Sequence, residues 1–315
     1  MMPKVVFMGT PDFAVGSLDA IVQAGFPVVG VVTVPDRATG RGLKLTQSPV
    51  KQYAITHGLP LLQPEKLRDP DFQTALKSWE ADIFVVVAFR MLPQSVWAMP
   101  PMGTFNLHAS LLPQYRGAAP INWAIINGEH ETGVTTFLLN ERIDEGNILM
   151  QESTPITPDD NAESLHDRLA TIGSRLVVET LHGLSNGTLQ GRRQETTETL
   201  HSAPKIFKAD CAIDWRQPGQ RIVDFVRGLA PYPAATMTLM DGKGEIQSFK
   251  VYDVTFEPSQ NSIIGELSTD QKTFQKVGVA DGFIHIASLQ LSGKKRINIS
   301  EFLRGYNIKD WKVII

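Results

Sequence analysis

The chain has 315 residues, of which 42% are hydrophobic and 20% are charged, and its formal net charge is -3. This is ordinary globular composition, and the length favours two domains over one. A single cysteine, Cys211, excludes an internal disulfide, and the apolar run Val5–Met8 is too short for a signal peptide or a membrane span. We therefore expect a cytoplasmic protein without membrane attachment.

The first part of the chain alternates apolar runs with segments of helical spacing. The apolar runs that predict strands lie at 4–9, 28–34, 83–88, 104–108, 135–139 and 148–151. The segments with helical spacing lie at 17–24, 72–79 and 162–184, and Gly183 or Gly187 ends the last of them. Strands that alternate with helices predict a parallel sheet covered on both faces.

The pattern changes near residue 205, where short alternating runs replace the longer periods. These runs, which predict strands, lie at 235–239, 249–255, 278–280 and 284–291. The pairs Asp241-Gly242 and Asp281-Gly282 are typical of hairpin turns. Close strands joined by such turns predict a small β-barrel.

Two helices accompany the predicted barrel, at 218–229 and at 300–306, with Ser300 as the N-cap of the second. A polar segment rich in Thr, Gln and Arg precedes the barrel. We therefore predict a first domain at 1–186, a connector at 187–204 and a second domain at 205–315. Lys and Arg outnumber Asp and Glu in the second domain, which is compatible with an anionic partner.

The segment after the strand at 104–108 is the most informative for chemistry. Residues two apart on a strand point to the same side, so Asn106 and His108 can present an amide and an imidazole to one reacting group. Prolines and a glycine then turn the chain beyond the carboxyl end of the strand, where open α/β sheets bind ligands. In isolation, the pair is better explained as a turn amide and a half-buried structural histidine.

A carboxylate follows the next predicted strand in the polar run Glu141–Gly146, and Asp144 is our candidate within it. Acyl transfer to an amine needs a group that manages protons, donors for the oxyanion and a carboxylate that orients the imidazole. His108, Asn106 and Asp144 fit these three roles. The alternative for Asp144 is ordinary turn capping ahead of Gly146.

Several motifs together resemble those of methionyl-tRNA formyltransferases. They are Gly9-Thr-Pro-Asp-Phe13, Asn106-x-His108, Ser110-Leu-Leu-Pro113, Tyr115-Arg-Gly117 and Asp144. The resemblance spans nearly the whole chain and implies a Rossmann-like parallel-sheet formyltransferase domain followed by an OB-fold-like β-barrel that binds tRNA. It implies formyl transfer from 10-formyltetrahydrofolate to the amino group of initiator methionyl-tRNA, by direct attack and without a metal, with Asn106, His108 and Asp144 as catalytic residues.

The resemblance also implies a binding site for the folate. The residues expected there are Ser110, Leu111, Leu112 and Pro113, together with Phe89, Arg90 and Met91. The second group departs from the family pattern, because Ala88-Phe-Arg-Met-Leu-Pro93 is one residue shorter than the usual stretch and lacks its glycine. Arg90 is therefore expected to alter the local shape of the pterin pocket.

Two basic segments are expected to contact tRNA phosphates. The first is the glycine-containing loop after the second strand, which resembles a family insertion and carries Arg37, Arg41 and Lys44, with Lys51 beyond it. The second is Lys294, Lys295 and Arg296. Without the resemblance, either segment would be interpreted as solvated surface.

Other functions are less well supported by the residues. The middle motif is shared with other 10-formyltetrahydrofolate enzymes, so a sugar nucleotide or glycinamide ribonucleotide remains possible as the acceptor. A nucleotide-binding oxidoreductase conflicts with the Gly9–Gly16 spacing, which lacks the G-x-G-x-x-G turn. An RNA-binding module without catalysis leaves Asn106, His108 and Asp144 without a role. We expect a monomer.

Overall fold

The computed structural model describes residues 2–39, 44–195 and 199–315. Its strands are β1 (Val5–Gly9), β2 (Val28–Val32), β3 (Arg37–Thr39), β4 (Lys44–Thr46), β5 (Leu61–Leu62), β6 (Ile83–Val87), β7 (Thr104–His108), β8 (Arg116–Gly117), β9 (Glu131–Leu138), β10 (Ile148–Pro155), β11 (Ser202–Ala203), β12 (Ala235–Met240), β13 (Ile246–Pro258), β14 (Leu267–Thr269), β15 (Gln275–Val279), β16 (Gly282–Leu291), β17 (Ile297–Asn298) and β18 (Lys312–Val313). Its α-helices are α1 (Asp12–Gln23), α2 (Pro49–Thr56), α3 (Pro70–Lys77), α4 (Gln94–Trp97), α5 (Pro120–Ile126), α6 (Ala162–Ser185), α7 (Gly219–Leu229) and α8 (Ile299–Gly305).

The chain forms two compact units, and neither is continuous in sequence. The first comprises Met1–Gly117, Glu131–Thr154 and His166–Ala203, and the second comprises Ala118–His130, Pro155–Leu165 and Pro204–Ile315. Two segments that lie within the predicted first domain therefore pack with the second unit. The predicted domain bounds at 186 and 204, and the roles predicted for the two domains, stay predictions.

The first unit is built on a sheet with the strand order β10-β9-β7-β6-β1-β2-β5. The pairs from β5 through β2, β1 and β6 to β7 are parallel, whereas β7 and β9 are antiparallel. The chain leaves β1 towards β2 and later returns to place β6 on the other side of β1. Open sheets bind ligands at the carboxyl ends of strands where the order reverses in this way.

The apolar runs become central strands because both faces of the sheet are covered. On one face, Val6, Met8, Phe84 and Val86 pack in a cluster with side chains of α3 and α4. On the other face, Leu107 of β7 lies against α6 at Gly173, where a Cβ would lie 2.6 Å from the Leu107 side chain. This two-sided burial explains why the strands read as continuous hydrophobic runs.

The second unit contains a nearly closed antiparallel barrel. Its strands follow the order β14-β15-β16-β13-β12-β18, and β17 pairs with β16. Trp215, Phe249 and Phe302 are fully buried in its core. Helices α5 and α7 cross closely at Gly228, and the Asn122 side-chain amide donates to the Gly228 carbonyl over 2.8 Å.

The predicted fold class is confirmed, and most predicted elements are present with shifted ends. Helix α1 begins at Asp12 instead of residue 17, and the first barrel hairpin turns at Asp241 as predicted. The predicted N-cap Ser300 is wrong, because Asn298 accepts the capping hydrogen bond from the Glu301 amide over 2.8 Å. Asn298 accepts and Glu301 reaches back, which is a capping box.

Part of the predicted connector is built into the first unit. Ser202 and Ala203 pair in parallel with Arg116 and Gly117. The Tyr115 amide donates to the His201 carbonyl over 2.7 Å. The segment that looked like an exposed link therefore reaches back to the residues after β7.

Among the residues that the structure describes, no helix is both long and apolar enough to cross a bilayer.

Candidate active site

Asn106 lies in the middle of β7, between apolar residues of the two neighbouring strands. The register aligns it with Val86 of β6 on one side and with Phe137 of β9 on the other. Its Oδ1 atom is buried and has no hydrogen-bond partner among the described residues. Burial of an amide oxygen without a partner is unfavourable, so this atom is suited to a ligand.

His108 ends β7 and is almost completely buried. Its Nε2 atom lies 2.9 Å from the Tyr115 carbonyl oxygen, and its ring meets Phe137 edge-on with centroids 6.5 Å apart. Because a carbonyl can only accept, this contact requires the proton on Nε2. The neutral ring then has its lone pair on Nδ1.

Asp144 faces that second ring nitrogen. Its Oδ2 atom lies 4.0 Å from His108 Nδ1 and accepts a 3.0 Å hydrogen bond from the Gly117 amide. The Asp144 side chain is 13% exposed, and its backbone has φ of 54°, a conformation that non-glycine residues adopt rarely. The structure thus brings the predicted carboxylate and imidazole together from elements far apart in sequence.

The Asp144 turn is held by side chains that our sequence interpretation missed. Gln194, from the predicted connector, donates to the carbonyls of Asp144 and Gly146 over 2.8 Å each. Arg116 donates to the Gln194 oxygen over 2.7 and 3.2 Å and lies 3.2 Å from the Glu145 carboxylate. Sequence alone gave no signal for these contacts, because they join segments that lie far apart in the chain, up to 78 positions for Arg116 and Gln194.

The turn predicted to border the folate is folded onto β9 and β10. The Thr135 hydroxyl donates to the Ser110 carbonyl over 2.6 Å and accepts from the Leu112 amide over 3.1 Å. The Gln151 side chain donates to the Leu112 carbonyl over 2.9 Å, and Leu112-Pro113 is a cis peptide. The backbone path after β7 is therefore tightly defined.

Side chains of this turn differ in what they offer. The Ser110 hydroxyl donates to the Gln114 carbonyl over 2.6 Å and is fully buried. Leu111 packs over Gly133 of β9, where a Cβ would lie 2.6 Å from the Leu111 side chain. Both residues support the turn, and Pro113 is partly exposed.

The second predicted folate segment follows β6. Phe89 packs against the apolar cluster of α3 and α4, and Met91 is 72% exposed. Arg90 donates to the carbonyls of Pro64 and Glu65 over 2.7 and 3.0 Å, and burial, together with the nearby Arg37 charge, lowers its pKa. Arg90 therefore ties this segment to the chain after β5.

The basic loop after β2 is only partly described. Arg37 is exposed on β3, and Lys44 begins β4, which pairs with β3 as a hairpin. Arg41 lies outside the described residues, as does the side chain of Lys44. The two strands give the described part of the loop a hairpin base.

Lys51 is engaged within the protein, in contrast to the role suggested by its charge. Its Nζ atom lies 2.7 Å from the Asp36 carboxylate, which also accepts from the Gln63 amide over 2.9 Å. The Lys51 hydrogen bond is the main reason why the pKa of Asp36 is lowered. Lys51 therefore helps to anchor the loop.

The basic triplet of the second unit lies between β16 and β17. Lys294 and Lys295 are exposed. Arg296 lies over the Tyr252 ring, 4.5 Å from its centroid, and donates to the Ser288 hydroxyl over 2.9 Å. The triplet therefore contains two exposed lysines followed by an arginine that lies over an aromatic ring.

A further polar group lies at the carboxyl end of β1. The Thr10 hydroxyl oxygen is buried and has no hydrogen-bond partner among the described residues. It follows Gly9, where a Cβ would lie 2.7 Å from Ala14. The Gly9-Thr-Pro motif marked this segment, although no role for Thr10 followed from its sequence.

The described residues lack a ligand set of the kind that binds metal ions in proteins. No group of three His, Cys, Asp or Glu side chains among these residues could hold a metal ion. The polar groups at the carboxyl edge of the sheet include an amide, an imidazole and a carboxylate. Such a set can position a carbonyl group and move a proton.

The chain matches two family models. One, described as formyl transferase, covers residues 3–181, and the other, described as formyl transferase, C-terminal domain, covers residues 205–307. Together they extend over both units. A solved N-formyltransferase from Helicobacter canadensis, in complex with folinic acid and dTDP-3-aminofucose, has a TM-score of 0.65 and 20% identity, and the match covers 94% of this chain and 100% of that chain. At this identity the likeness concerns the fold alone.

Relatives are much closer in sequence. The methionyl-tRNA formyltransferase of Bacteroides fragilis is 52% identical over 311 residues, which cover 98% of this chain and 96% of that protein. The methionyl-tRNA formyltransferase of Parabacteroides distasonis is 53% identical over 309 residues, which cover 96% of this chain and 95% of that protein. With such identity over almost its whole length, the chain belongs to the methionyl-tRNA formyltransferase family.

Proposed function

We propose that Asn106, His108 and Asp144 are the catalytic residues with which this chain formylates methionyl-tRNA. The relatives are named methionyl-tRNA formyltransferases, and in the proposed reaction the formyl group of 10-formyltetrahydrofolate moves to the methionyl amino group. The observation that carries the assignment is the approach of Asp144 to His108 Nδ1, at 4.0 Å, beside the unpartnered Oδ1 of Asn106.

The chemistry defines what the residues must do. The amine nitrogen forms a bond to the formyl carbon, the bond from that carbon to the folate nitrogen breaks, and no electrons are gained or lost overall. The formyl oxygen carries negative charge in between. One proton leaves the amine and one arrives on the departing nitrogen, so a hydrogen-bond donor and a proton carrier are both required.

Asn106 supplies the donor. Its side-chain NH2 donates to the developing oxyanion, while Oδ1 accepts a hydrogen bond from the attacking amine. The buried and unpartnered state of Oδ1 supports the acceptor role, because a group without a protein partner gains most from contact with substrate. An amide offers both functions without changing its charge.

His108 carries the proton, with Nδ1 as the exchanging atom. The Tyr115 carbonyl retains the hydrogen on Nε2, so Nδ1 is the site that takes up and returns a proton. Asp144 stabilises the charged ring through its carboxylate. The Gly117 amide keeps that carboxylate in place.

Binding sites for the folate and for the tRNA are also needed. We assign the folate to the turn Ser110–Pro113 and the segment Phe89–Met91, which follow β7 and β6 at the same edge of the sheet. We assign tRNA contacts to the loop containing Arg37, Arg41 and Lys44. We also assign them to Lys294, Lys295 and Arg296 on the barrel, where a cation stacked on an aromatic ring suits nucleic acid.

The domain roles follow from these assignments. The first domain, 1–186, binds 10-formyltetrahydrofolate and carries out transfer, and the second, 205–315, binds tRNA. We further propose that the enzyme acts in the cytoplasm as a monomer and selects initiator methionyl-tRNA. A second copy of the chain is not needed to complete the catalytic group, since all three residues belong to one unit.

An acceptor assay tests the proposal. The protein is incubated with 10-formyltetrahydrofolate and with methionyl-tRNA of either the initiator or the elongator type, and formyl-methionine is measured after the ester bond is hydrolysed. We expect formylation of the initiator to be strongly preferred. Equal product from both tRNAs would contradict the proposed selectivity, and formylation of a sugar nucleotide alone would contradict the acceptor.

Charge reversal at Arg41 is expected to weaken productive tRNA binding. The Arg41→Glu variant should raise KM for methionyl-tRNA and leave KM for the folate unchanged, because long flexible cations contact phosphate rather than pterin. Each lost phosphate contact also lowers the salt dependence of binding. Steady-state kinetics at two salt concentrations provide the measurement.

The matched control reverses an exposed cation outside the loop, Lys77 at the end of α3. Lys77→Glu changes the net charge of the protein by the same amount and should leave both KM values unchanged. If Arg41→Glu and Lys77→Glu have the same effect, the loop is ordinary surface.

A further inference from the structure

The side chain of Gln194, in the predicted connector, binds the Asp144 turn through both ends of its amide group. Its amide nitrogen donates to the Asp144 and Gly146 carbonyls over 2.8 Å each, and its oxygen accepts from Arg116 over 2.7 and 3.2 Å. The residue is 9% exposed. Both ends of one amide are thus saturated by groups at the catalytic turn.

The turn needs such support because its backbone is restricted. Asp144 has φ of 54°, and at Gly146 a Cβ would lie only 1.6 Å from the Leu138 carbonyl oxygen. A backbone conformation of this kind persists only where neighbouring groups hold it. Gln194 bonds to the carbonyls of Asp144 and Gly146, and so fixes the turn at two points.

Arg116 connects the same amide to the other support of Asp144. Arg116 precedes Gly117, whose amide donates to the Asp144 carboxylate over 3.0 Å. Its guanidinium also meets the Glu145 carboxylate at 3.2 Å. One set of hydrogen bonds therefore fixes the backbone of Asp144 and the strand that holds its carboxylate.

We infer that Gln194 is a positioning residue that keeps the Asp144 carboxylate facing His108. The inference rests on the proposed catalytic function of Asp144. A glutamine suits the position because it combines two donors with an acceptor in one neutral group. Glutamate would keep the Arg116 contact but present negative charge to two carbonyl oxygens, and methionine would keep the volume without any polar contact.

The primary test is the Gln194→Met variant. We expect kcat for formylation to fall by about 10 to 100 fold, because small displacements of a catalytic group have effects of this order. KM for both substrates should stay within about twofold, since Gln194 contacts the turn rather than a substrate. The NMR resonances of the His108 ring should also shift, because the charged group nearest to Nδ1 moves.

The matched control is Gln114→Met. Gln114 bonds to the same connector through the Thr199 carbonyl and the His201 amide, over 3.1 and 2.8 Å, and these bonds do not involve the Asp144 turn. It therefore reports what loosening the connector does by itself. Comparable losses of kcat in Gln114→Met and Gln194→Met would overturn the inference.

A double-mutant cycle separates this inference from the proposed function. In an Asp144→Asn background, Gln194→Met should have little further effect on kcat, because the carboxylate that it positions is gone. Full additivity of the two changes would overturn the positioning role. Normal turnover in Asp144→Asn alone would instead remove the proposed function of Asp144.

A second variant covers the case in which Gln194→Met fails to fold. Gln194→Glu retains the size and the Arg116 partner, and its folding is verified by circular dichroism, with a lower melting temperature expected because a buried carboxylate then faces two carbonyl oxygens. Its kcat should still fall by about 10 fold or more, because the two carbonyls of the turn lose their donor. An unchanged kcat in Gln194→Glu would overturn the inference.

Discussion

Replacement of Asn106 by alanine is expected to lower kcat for formylation by about 100 to 1,000 fold, the usual cost of removing one oxyanion donor. The structure gives a reason for so large an effect. The residues aligned with Asn106 on the two neighbouring strands are Val86 and Phe137, and neither side chain can donate a hydrogen bond in its place. KM for both substrates should change little. Single-turnover kinetics with saturating folate provide the measurement.

Asn106→Asp is the sharper companion to the alanine variant. It retains the size of the side chain and the acceptor oxygen, but replaces the donor with a negative charge that repels the oxyanion. Its kcat should be at least as low as that of Asn106→Ala. Near-normal turnover in either variant, with folding verified by melting temperature, would show that Asn106 does not stabilise the oxyanion.

Replacement of His108 by glutamine is expected to lower kcat by at least about 100 fold, within the range attributed to general acid-base catalysis. Glutamine can still donate to the Tyr115 carbonyl, so the local fold is retained, but it cannot carry a proton. Binding of tRNA should be unchanged, because His108 is buried at the end of β7. Formylation rates and tRNA affinity are measured on the same preparation.

The control for this variant is His57→Gln. His57 is an exposed histidine at the end of α2 in the same unit, and its ring stacks on Tyr53 with centroids 3.9 Å apart. Turnover should be unaffected. A rate for His108→Gln equal to that of His57→Gln would mean that His108 has a structural role only.

Residues that act through local patterns could be predicted from the sequence. Asn106 and His108 share a side of β7 because the period of a strand is two, and the prolines after them indicate where the strand ends. Asp144 was one of several acidic residues in a polar run, and it was predicted because acyl transfer needs a carboxylate that orients the imidazole. The structure then brings it within 4.0 Å of the ring, a distance that no local pattern contains.

Residues that act through distant contacts could not be predicted. Gln194 lies in a segment of turn-like composition, and its role depends on the return of that segment to Arg116. Likewise, Lys51 and Arg90 look like available cations, yet Asp36 and two backbone carbonyls engage them. Composition counts charges, whereas only the folded chain determines their partners.

Prolines in the sequence indicate where several short helices begin. Helices α2, α3 and α5 each begin with proline, a residue that is favoured in the first turn of a helix. Ser48 precedes the first of them and accepts a capping hydrogen bond from Lys51 over 3.1 Å. Helices α2 and α5 were not predicted because their apolar periods are too brief to stand out, whereas α3 was predicted at 72–79.

Both units are built from separate stretches of the sequence, which limits how the chain can be divided into folded fragments. A fragment that stops at residue 186 would omit Gln194 and the strand β11, and would still contain α5, whose Ile126 belongs to the core of the other unit. The complementary fragment would lack that helix and expose the apolar surface against which it packs. No single division of the chain therefore yields two fragments that each contain a complete unit.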